Sequence, residues 1–409
     1  MKQHFGLLGR KLGHSYSPQI HGLLAEYDYQ LYEAEPEAVG TFLKETVLDG
    51  MNVTIPYKKT VMEYCAGLSE TALRMGCVNT LVRETDGWHG YNTDYDGFCS
   101  LVQASGIPVK GKKALVLGSG GASGTACRAL EDLGALPVVV ISRNGKYHYG
   151  NLELHADAEL IVNTTPVGMY PANGRAPLDL ALFPRCCGVL DVIYNPARTA
   201  LLLQAEARGI PHAGGLHMLV AQAKRSAELF TGKQIDDGEI DRITGLLQSQ
   251  TENIVLTGMP GSGKTSIGKE LSVMLGREFL DADEKLAEKA GKTIPEIFRK
   301  IGETGFRKLE TEILEELGKL SGKVIATGGG CVTRSENYPL LHQNSRIVWI
   351  RRRLDLLPSE GRPISMVRGM EDLFEERKEQ YAAFADLIVE NDASIKEAAE
   401  KICRAIETV

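Results

Sequence analysis

Residues 254–265, IVLTGMPGSGKT, constrain this chain more than any other stretch. They read as an apolar strand, a glycine-rich loop satisfying G-x-x-x-x-G-K-[ST] from Gly258 to Thr265, and the start of a helix. Such a loop holds phosphates because a strand delivers it to a helix N-terminus, where backbone amides and the helix dipole supply the field. Gly261, Ser262, Gly263, Lys264, Thr265 and Ser266 are therefore expected to wrap the phosphates of a nucleotide, with Lys264 on the terminal ones and the Thr265 hydroxyl on Mg²⁺. The motif implies a nucleotide and leaves its acceptor open.

A second glycine-rich turn of another design precedes it, ALVLGSGGASG from Ala114. Gly118, Ser119, Gly120, Gly121 and Ala122 follow four apolar residues and open a helical pattern, the context in which a turn can hold a pyrophosphate. Alone the signal is weak, because Ser123 stands where the dinucleotide fingerprint has its third glycine, and a tight turn packing helix on strand is the plain alternative. The following strand, PVVVIS, ends in Ser142, Arg143 and Asn144 instead of an acid. A carboxylate there would repel a ribose 2′-phosphate, whereas a guanidinium pairs with it, so NADP is favoured over NAD.

Short apolar runs alternate with longer helical patterns along all 409 residues, which predicts α/β architecture in two to four domains. A net charge of −7 argues against a general nucleic-acid partner. No apolar run approaches the roughly 18–20 residues of a membrane span, and MKQHFGLLGR lacks a signal-peptide core, so a cytoplasmic location is expected. The eight cysteines are scattered with no C-x-x-C and read as reduced thiols; the adjacent Cys186 and Cys187 are the one redox candidate, with a structural role favoured. Oligomeric state is not readable from the residues.

Further segments of the first half form an ordered set. GHSYSP carries Ser15 and Ser17, NVTIPYK carries Thr54 and Lys58, CVNTL carries Asn79, and GYNTDYDG carries Asp94. DVIY ends in Tyr194, and GGLHMLVAQA holds Gly215, Met218 and Gln222. Singly these are a surface lysine, a capping Asp or a helix amide; together they closely resemble shikimate dehydrogenase. The resemblance implies an N-terminal substrate domain, residues 1–105 completed by helices near 216–247, and a Rossmann-type NADP domain, residues 106–215. It implies NADPH-dependent reduction of 3-dehydroshikimate to shikimate, with Lys58 and Asp94 as the catalytic pair. Hydride arriving at a ketone leaves an alkoxide that needs a proton, which an ammonium beside a carboxylate can supply. Ser15, Ser17, Thr54, Asn79, Asp94, Tyr194 and Gln222 would hold the substrate. Gly118 to Ala122, Ser142, Arg143, Asn144, Gly215 and Met218 would hold the cofactor. One departure stands out: only NGKYHYGNLELHADAE separates the strand ending at Arg143 from LIVNTTP, so a crossover helix is expected to be shortened or lost.

After a linker at 248–252, residues 253–409 add FLDADEKL with Asp281 and Asp283, and GETGFRKLE with Arg307 and Glu310 at i, i+3. ATGGG ends in Gly328 to Gly330, GRPI carries Arg362, and ERKEQYAAFAD carries Arg377. Glu310 and the run Arg351–Arg353 read as structural and solvated, respectively. This half resembles shikimate kinase, a P-loop α/β domain with a parallel sheet. The resemblance implies phosphorylation of the shikimate 3-hydroxyl by ATP. Asp283 would take the hydroxyl proton, Arg307 and Arg377 would clamp the carboxylate, and Gly329 would contact the ring. Asp281 would help hold Mg²⁺ with Thr265, and Arg362 would close over the phosphates from a lid shorter than usual. The chain as a whole thus reads as a bifunctional enzyme of aromatic amino-acid and chorismate biosynthesis, its partners the small molecules 3-dehydroshikimate and shikimate. A regulatory pseudo-enzyme would be expected to have lost Lys58, Asp94, Lys264 or Asp283, and all four are present. Quinate with NAD, or another small-molecule kinase substrate, are the remaining alternatives.

Overall fold

The computed structural model describes residues 3–13, 15–357 and 369–407. The chain divides into two compact units. One comprises Met1–Met169, Arg175–Tyr194 and Leu201–Leu246; the other comprises Tyr170–Gly174, Asn195–Ala200 and Leu247–Val409.

The first unit carries two sheets. Strands β1 (His4–Gly9), β2 (Asp28–Glu33), β3 (Gly50–Val53), β4 (Cys65–Leu68), β5 (Thr80–Glu84) and β6 (Gly87–Tyr91) form a mixed sheet in the order β2-β1-β3-β5-β6-β4. β1 runs parallel to β2 and β3, while β5 is antiparallel to β3 and β6. Strands β7 (Ala114–Leu117), β8 (Val138–Ile141), β9 (Leu160–Asn163), β10 (Gly188–Asp191) and β11 (His212–Ala213) form a parallel sheet in the order β11-β10-β9-β7-β8. ALVL, LIVN and GVLD are buried throughout, as continuous apolar runs are in a parallel sheet covered on both faces. The chain passes from β8 on one side of β7 to β9 on the other, so the strand order reverses there, and the cleft at the carboxyl ends of β7 and β9 is the expected ligand position of such sheets.

The expected loss of a crossover helix is borne out. Between β8 and β9 the only helical element is the single turn Leu152–His155. Leu152 and Ala158, with Tyr147 and Tyr149 packed beside them, cover Leu115, Leu117 and Ile141 on that face. On that face Ile141 is fully buried and Val139 partly so, while the exposed Val140 stands on the other face in register with Val116.

The second unit holds β12 (Asn253–Thr257), β13 (Phe279–Asp281), β14 (Val324–Ala326), β15 (Ser345–Arg351) and β16 (Leu387–Glu390), all parallel, in the order β13-β14-β12-β15-β16. The helix Lys264–Leu275 follows β12 and packs Ile267 and Leu271 under the sheet with Ala398, Ala399 and Ile402 of the last helix. On the opposite face the helical segment Ile294–Gly318, broken at Gly302, buries Phe306, Ile313, Leu314 and Leu317. The polar stretch expected as a linker is helical through Thr251, forming the last turns of the helix Gly238–Thr251. No described helix is long and apolar enough to cross a membrane.

Candidate active sites

In the first unit, a pocket of about 500 Å³ gathers residues from the first sheet and from segments that follow strands of the second. Ser15, Ser17, Thr54, Lys58, Asn79 and Asp94 all line it, as do Tyr194, Gly215, Met218 and Gln222. Asp94 reaches it from the first turn of the helix Thr93–Ser105, whose entry is set by Asn92: its side chain caps the amide of Tyr95 at 3.2 Å. Lys58 follows β3, and its Nζ donates to Asp94 Oδ2 at 2.6 Å. Asn79, at the head of β5, donates to the other Asp94 oxygen at 3.0 Å, so both carboxylate oxygens are held. Burial, followed by proximity to Tyr16, pushes the Tyr194 phenol above its ordinary value, which keeps it a hydrogen-bond donor.

Behind Asn79 lies a polar network that sequence reasoning missed. Asn79 also bonds to Thr93, whose hydroxyl meets Ser226 at 3.0 Å; Ser226 in turn contacts Thr80 and accepts from Asn52. All five side chains are buried. Ser226, near the end of a helix 16 residues long, carries no local signal for this role, because its partners are 133 to 174 positions away.

The dinucleotide-type turn is built as expected, though only Ala122 of it lines the pocket. Gly118 has φ of 112°, and a Cβ there would lie 2.9 Å from the Thr164 hydroxyl, so only glycine fits. Ser123, in the third-glycine position, turns its hydroxyl back to the Gly118 carbonyl at 2.7 Å and so fastens the loop. Gly120 caps the helix Gly121–Asp132, and Ser119 lies between these glycines. The Gly118 amide donates to Ile141 O at 2.8 Å, which sets the turn holding Ser142, Arg143 and Asn144 beside this loop. Arg143 and Asn144 are exposed there.

In the second unit, a pocket of about 410 Å³ opens over the phosphate loop. Gly261, Gly263, Lys264, Thr265, Ser266, Asp281 and Asp283 line one side, and Arg307, Glu310, Gly328 to Gly330 and Arg377 the other. Lys264 Nζ donates to the loop carbonyls of Gly258 at 2.8 Å and Met259 at 3.0 Å. Ser262 is fully buried and does not line the pocket; its carbonyl accepts from Asn391 at 2.7 Å, so this residue braces the loop from behind. Thr265 donates to Asp281 Oδ2 at 2.8 Å, while Asp281 Oδ1 caps the helix Ala282–Ala290. A hydroxyl and a carboxylate so placed beside a phosphate loop are the hard oxygen donors that suit Mg²⁺. Arg362 lies outside the described residues.

The three glycines after β14 are explained by close approach. A Cβ on Gly328 would meet Glu310 Oε1 at 2.6 Å and Asp283 Oδ1 at 2.8 Å; on Gly330 it would lie 2.0 Å from Arg307 Nη2. Gly329 packs against Pro260, and its carbonyl accepts from Arg377 Nη1 at 3.2 Å and from the Tyr381 hydroxyl. Glu310 is not a bystander. Its Oε2 lies 2.7 Å from Arg307 Nη1, both residues are buried, and burial pushes the carboxyl above its usual range against the opposing pull of Arg307.

Comparison with known proteins matches a family model to each half of the chain. The model of the shikimate dehydrogenase substrate binding domain matches residues 7–81, and that of shikimate kinase matches residues 260–407. The NADP(+) shikimate dehydrogenase of Clostridium beijerinckii is 34% identical over 268 residues, which is 61% of this chain and 98% of that protein. This chain belongs to the shikimate dehydrogenase family. It is a fusion, its C-terminal part a shikimate kinase domain. Among solved structures, the chorismate mutase/shikimate 5-dehydrogenase fusion protein of Clostridium acetobutylicum is 35% identical with a TM-score of 0.58, covering 61% of this chain and 98% of that one. Shikimate 5-dehydrogenase of Thermus thermophilus, solved with NADP(H) and shikimate, is 32% identical with a TM-score of 0.55, covering 59% of this chain and 98% of that one. The likeness spans the shikimate dehydrogenase half, so the missing crossover helix is a local departure within a retained fold.

Proposed function

We propose that this bifunctional enzyme of the shikimate pathway reduces 3-dehydroshikimate to shikimate in its first pocket and phosphorylates shikimate in its second. The observation that carries the reading is that one chain holds both a lysine–carboxylate pair in a polar pocket and a phosphate loop facing Asp283, Arg307 and Arg377.

In the first pocket, bound NADPH would supply the hydride. Lys58 donates its proton to the oxygen of the former carbonyl as charge develops there, and recovers one from solvent. Asp94 holds the ammonium in place through Oδ2, and Asn79 fixes the carboxylate through Oδ1. Ser15, Ser17, Thr54, Tyr194 and Gln222 orient the substrate's carboxylate and hydroxyls. Arg143 pairs with the 2′-phosphate of the cofactor, while Gly118 to Ala122, Ser142, Asn144, Gly215 and Met218 hold the rest of it.

In the second pocket, Arg307 and Arg377 bind the shikimate carboxylate, and Gly329 borders the ring. Asp283 accepts the 3-hydroxyl proton as the oxygen bonds to the γ-phosphorus of ATP and the bond to ADP breaks. Lys264 and the loop amides stabilise the charge on the phosphates. Thr265 and Asp281 would hold Mg²⁺, which would offset negative charge on the phosphates. The test is to incubate the pure protein with 3-dehydroshikimate, NADPH and MgATP. Shikimate is the expected product when MgATP is left out, and shikimate 3-phosphate when shikimate and MgATP alone are supplied, each identified by mass; absence of either would remove that half of the reading.

A further inference from the structure

β15 ends at Arg351, and Arg352 and Arg353 follow it in the turn that leads into the helical turn Leu354–Leu356; the surroundings of the three differ. Arg351, in register with Glu390 on β16, pairs with that residue; Arg353 Nη2 lies 2.7 Å from Asp355. Both pairs are exposed to solvent. Arg352 is half-buried and lines the kinase pocket with Gly261, Gly263 and Lys264. Among the described residues no carboxylate pairs with it. Among the same residues its one hydrogen bond runs from Nη1 to the Gly261 carbonyl at 3.5 Å, the limit of such a contact, and its buried Nε has no acceptor among them.

The placement is set by the backbone. β15 is the immediate neighbour of β12, with Thr257 opposite Trp349, so the residue leaving β15 lies beside the loop leaving β12. The contact there is tight: a Cβ on Gly258 would stand 2.4 Å from the Ile350 carbonyl. A guanidinium with five donors thus faces the phosphate loop with one neutral carbonyl as partner. Phosphate oxygens are the acceptors that suit such a fork, bidentate and charge-assisted.

We propose that Arg352 is a nucleotide-binding residue of the kinase half, engaging the phosphates beyond the α position and sharing their charge with Lys264. The loop's amides run from Gly261 to the helix start at Lys264, and Arg352 stands at the Gly261 end, away from the helix. Glu310, Asp281 and Asp283 are the carboxylates lining this pocket, and Arg307 is already committed to Glu310. This assignment rests on the kinase reading for its place in catalysis, though not for its effect on nucleotide affinity.

The test uses the full chain with Arg352→Ala and Arg352→Lys, and Arg351→Ala as the outward-facing control. AMP, ADP and a non-hydrolysable ATP analogue are titrated by calorimetry with Mg²⁺ present, and KM is measured for ATP and for shikimate. Dehydrogenase activity reports folding of the other half. The expected result is that Arg352→Ala weakens ADP and the ATP analogue about tenfold or more, as loss of a charge-assisted bond does. AMP affinity and the KM for shikimate stay near wild type, the KM for ATP rises in parallel, Arg352→Lys recovers part of the loss, and Arg351→Ala changes nothing. An equal loss for AMP, ADP and the analogue would overturn the assignment, since it would report a distorted loop or a contact to the nucleoside. Unchanged affinity for ADP and the analogue would overturn it outright. A wild-type protein that binds ATP and leaves shikimate unphosphorylated would instead refute the kinase reading, and the titrations would still decide the role of Arg352.

Discussion

The Arg307 guanidinium lies 2.7 Å from the Glu310 carboxylate three residues further along the same helix, and both are buried against Gly328 and Gly330. The pair aims one cation into the kinase pocket and leaves the other carboxylate oxygen, Oε1, without a hydrogen-bond partner. Breaking a buried pair from one side exposes the other charge to a poor environment. Glu310→Ala should therefore destabilise the kinase unit by about 3 kcal/mol and raise the KM for shikimate more than that for ATP. Denaturant melts and steady-state kinetics check it, with dehydrogenase activity expected to be unchanged.

Gly330→Ala tests the same pocket through backbone space. The added methyl would stand 2.0 Å from Arg307 Nη2, and the guanidinium, held by Glu310, has to move. The expected outcome is a rise in the KM for shikimate of about tenfold, the loss of roughly one charge-assisted bond, with ATP affinity retained. A wild-type KM for shikimate would show that Arg307 does not hold the substrate.

The two activities should separate by mutation, because every residue lining each pocket lies within one unit. Lys58→Ala should lower ketone reduction by about 10²-fold or more, as loss of a positioned proton donor does, and leave phosphorylation intact. Asp283→Asn should do the reverse. Loss of both reactions from either change in a folded protein would contradict independent sites.

Cofactor choice should rest on Arg143. NADPH should be preferred over NADH in the wild type, and Arg143→Ala should erase most of the preference by raising the KM for NADPH. Equal use of the two cofactors by the unaltered enzyme would exclude this role.

His21 should make the dehydrogenase unit acid-sensitive. It is buried, stacked on Tyr29 at 4.0 Å and bonded to the Tyr27 hydroxyl, and burial lowers its pKa from 6.5 to about 3. Between those values the unfolded chain takes up a proton that the folded chain refuses, so this contribution is full above pH 6.5 and declines as pH falls toward 3. Its loss between pH 7 and pH 5 is about 2 kcal/mol. Urea melts of wild type and His21→Asn at the two pH values, followed by dehydrogenase activity, measure the difference; equal pH dependence in both would rule it out.

The sequence by itself determined what is set within a few residues. The phosphate loop, the four-residue apolar strands, the shortened crossover after β8 and the i, i+3 spacing of Arg307 and Glu310 follow from backbone freedom and side-chain period, and the structure retains all of them. What it left open depends on pairing between distant segments. Arg351, Arg352 and Arg353 look alike in sequence, and only the place of β15 between β12 and β16, with the turn that follows Arg351, decides which of them meets the phosphate loop. Glu310 becomes part of the pocket because β14 delivers Gly328 against it, and Ser226 supports Asn79 because a helix from the far end of the unit packs over β3 and β5. No local pattern encodes those meetings, since each is a consequence of burying several apolar faces at once, and the polar side chains caught between them must then find partners among one another.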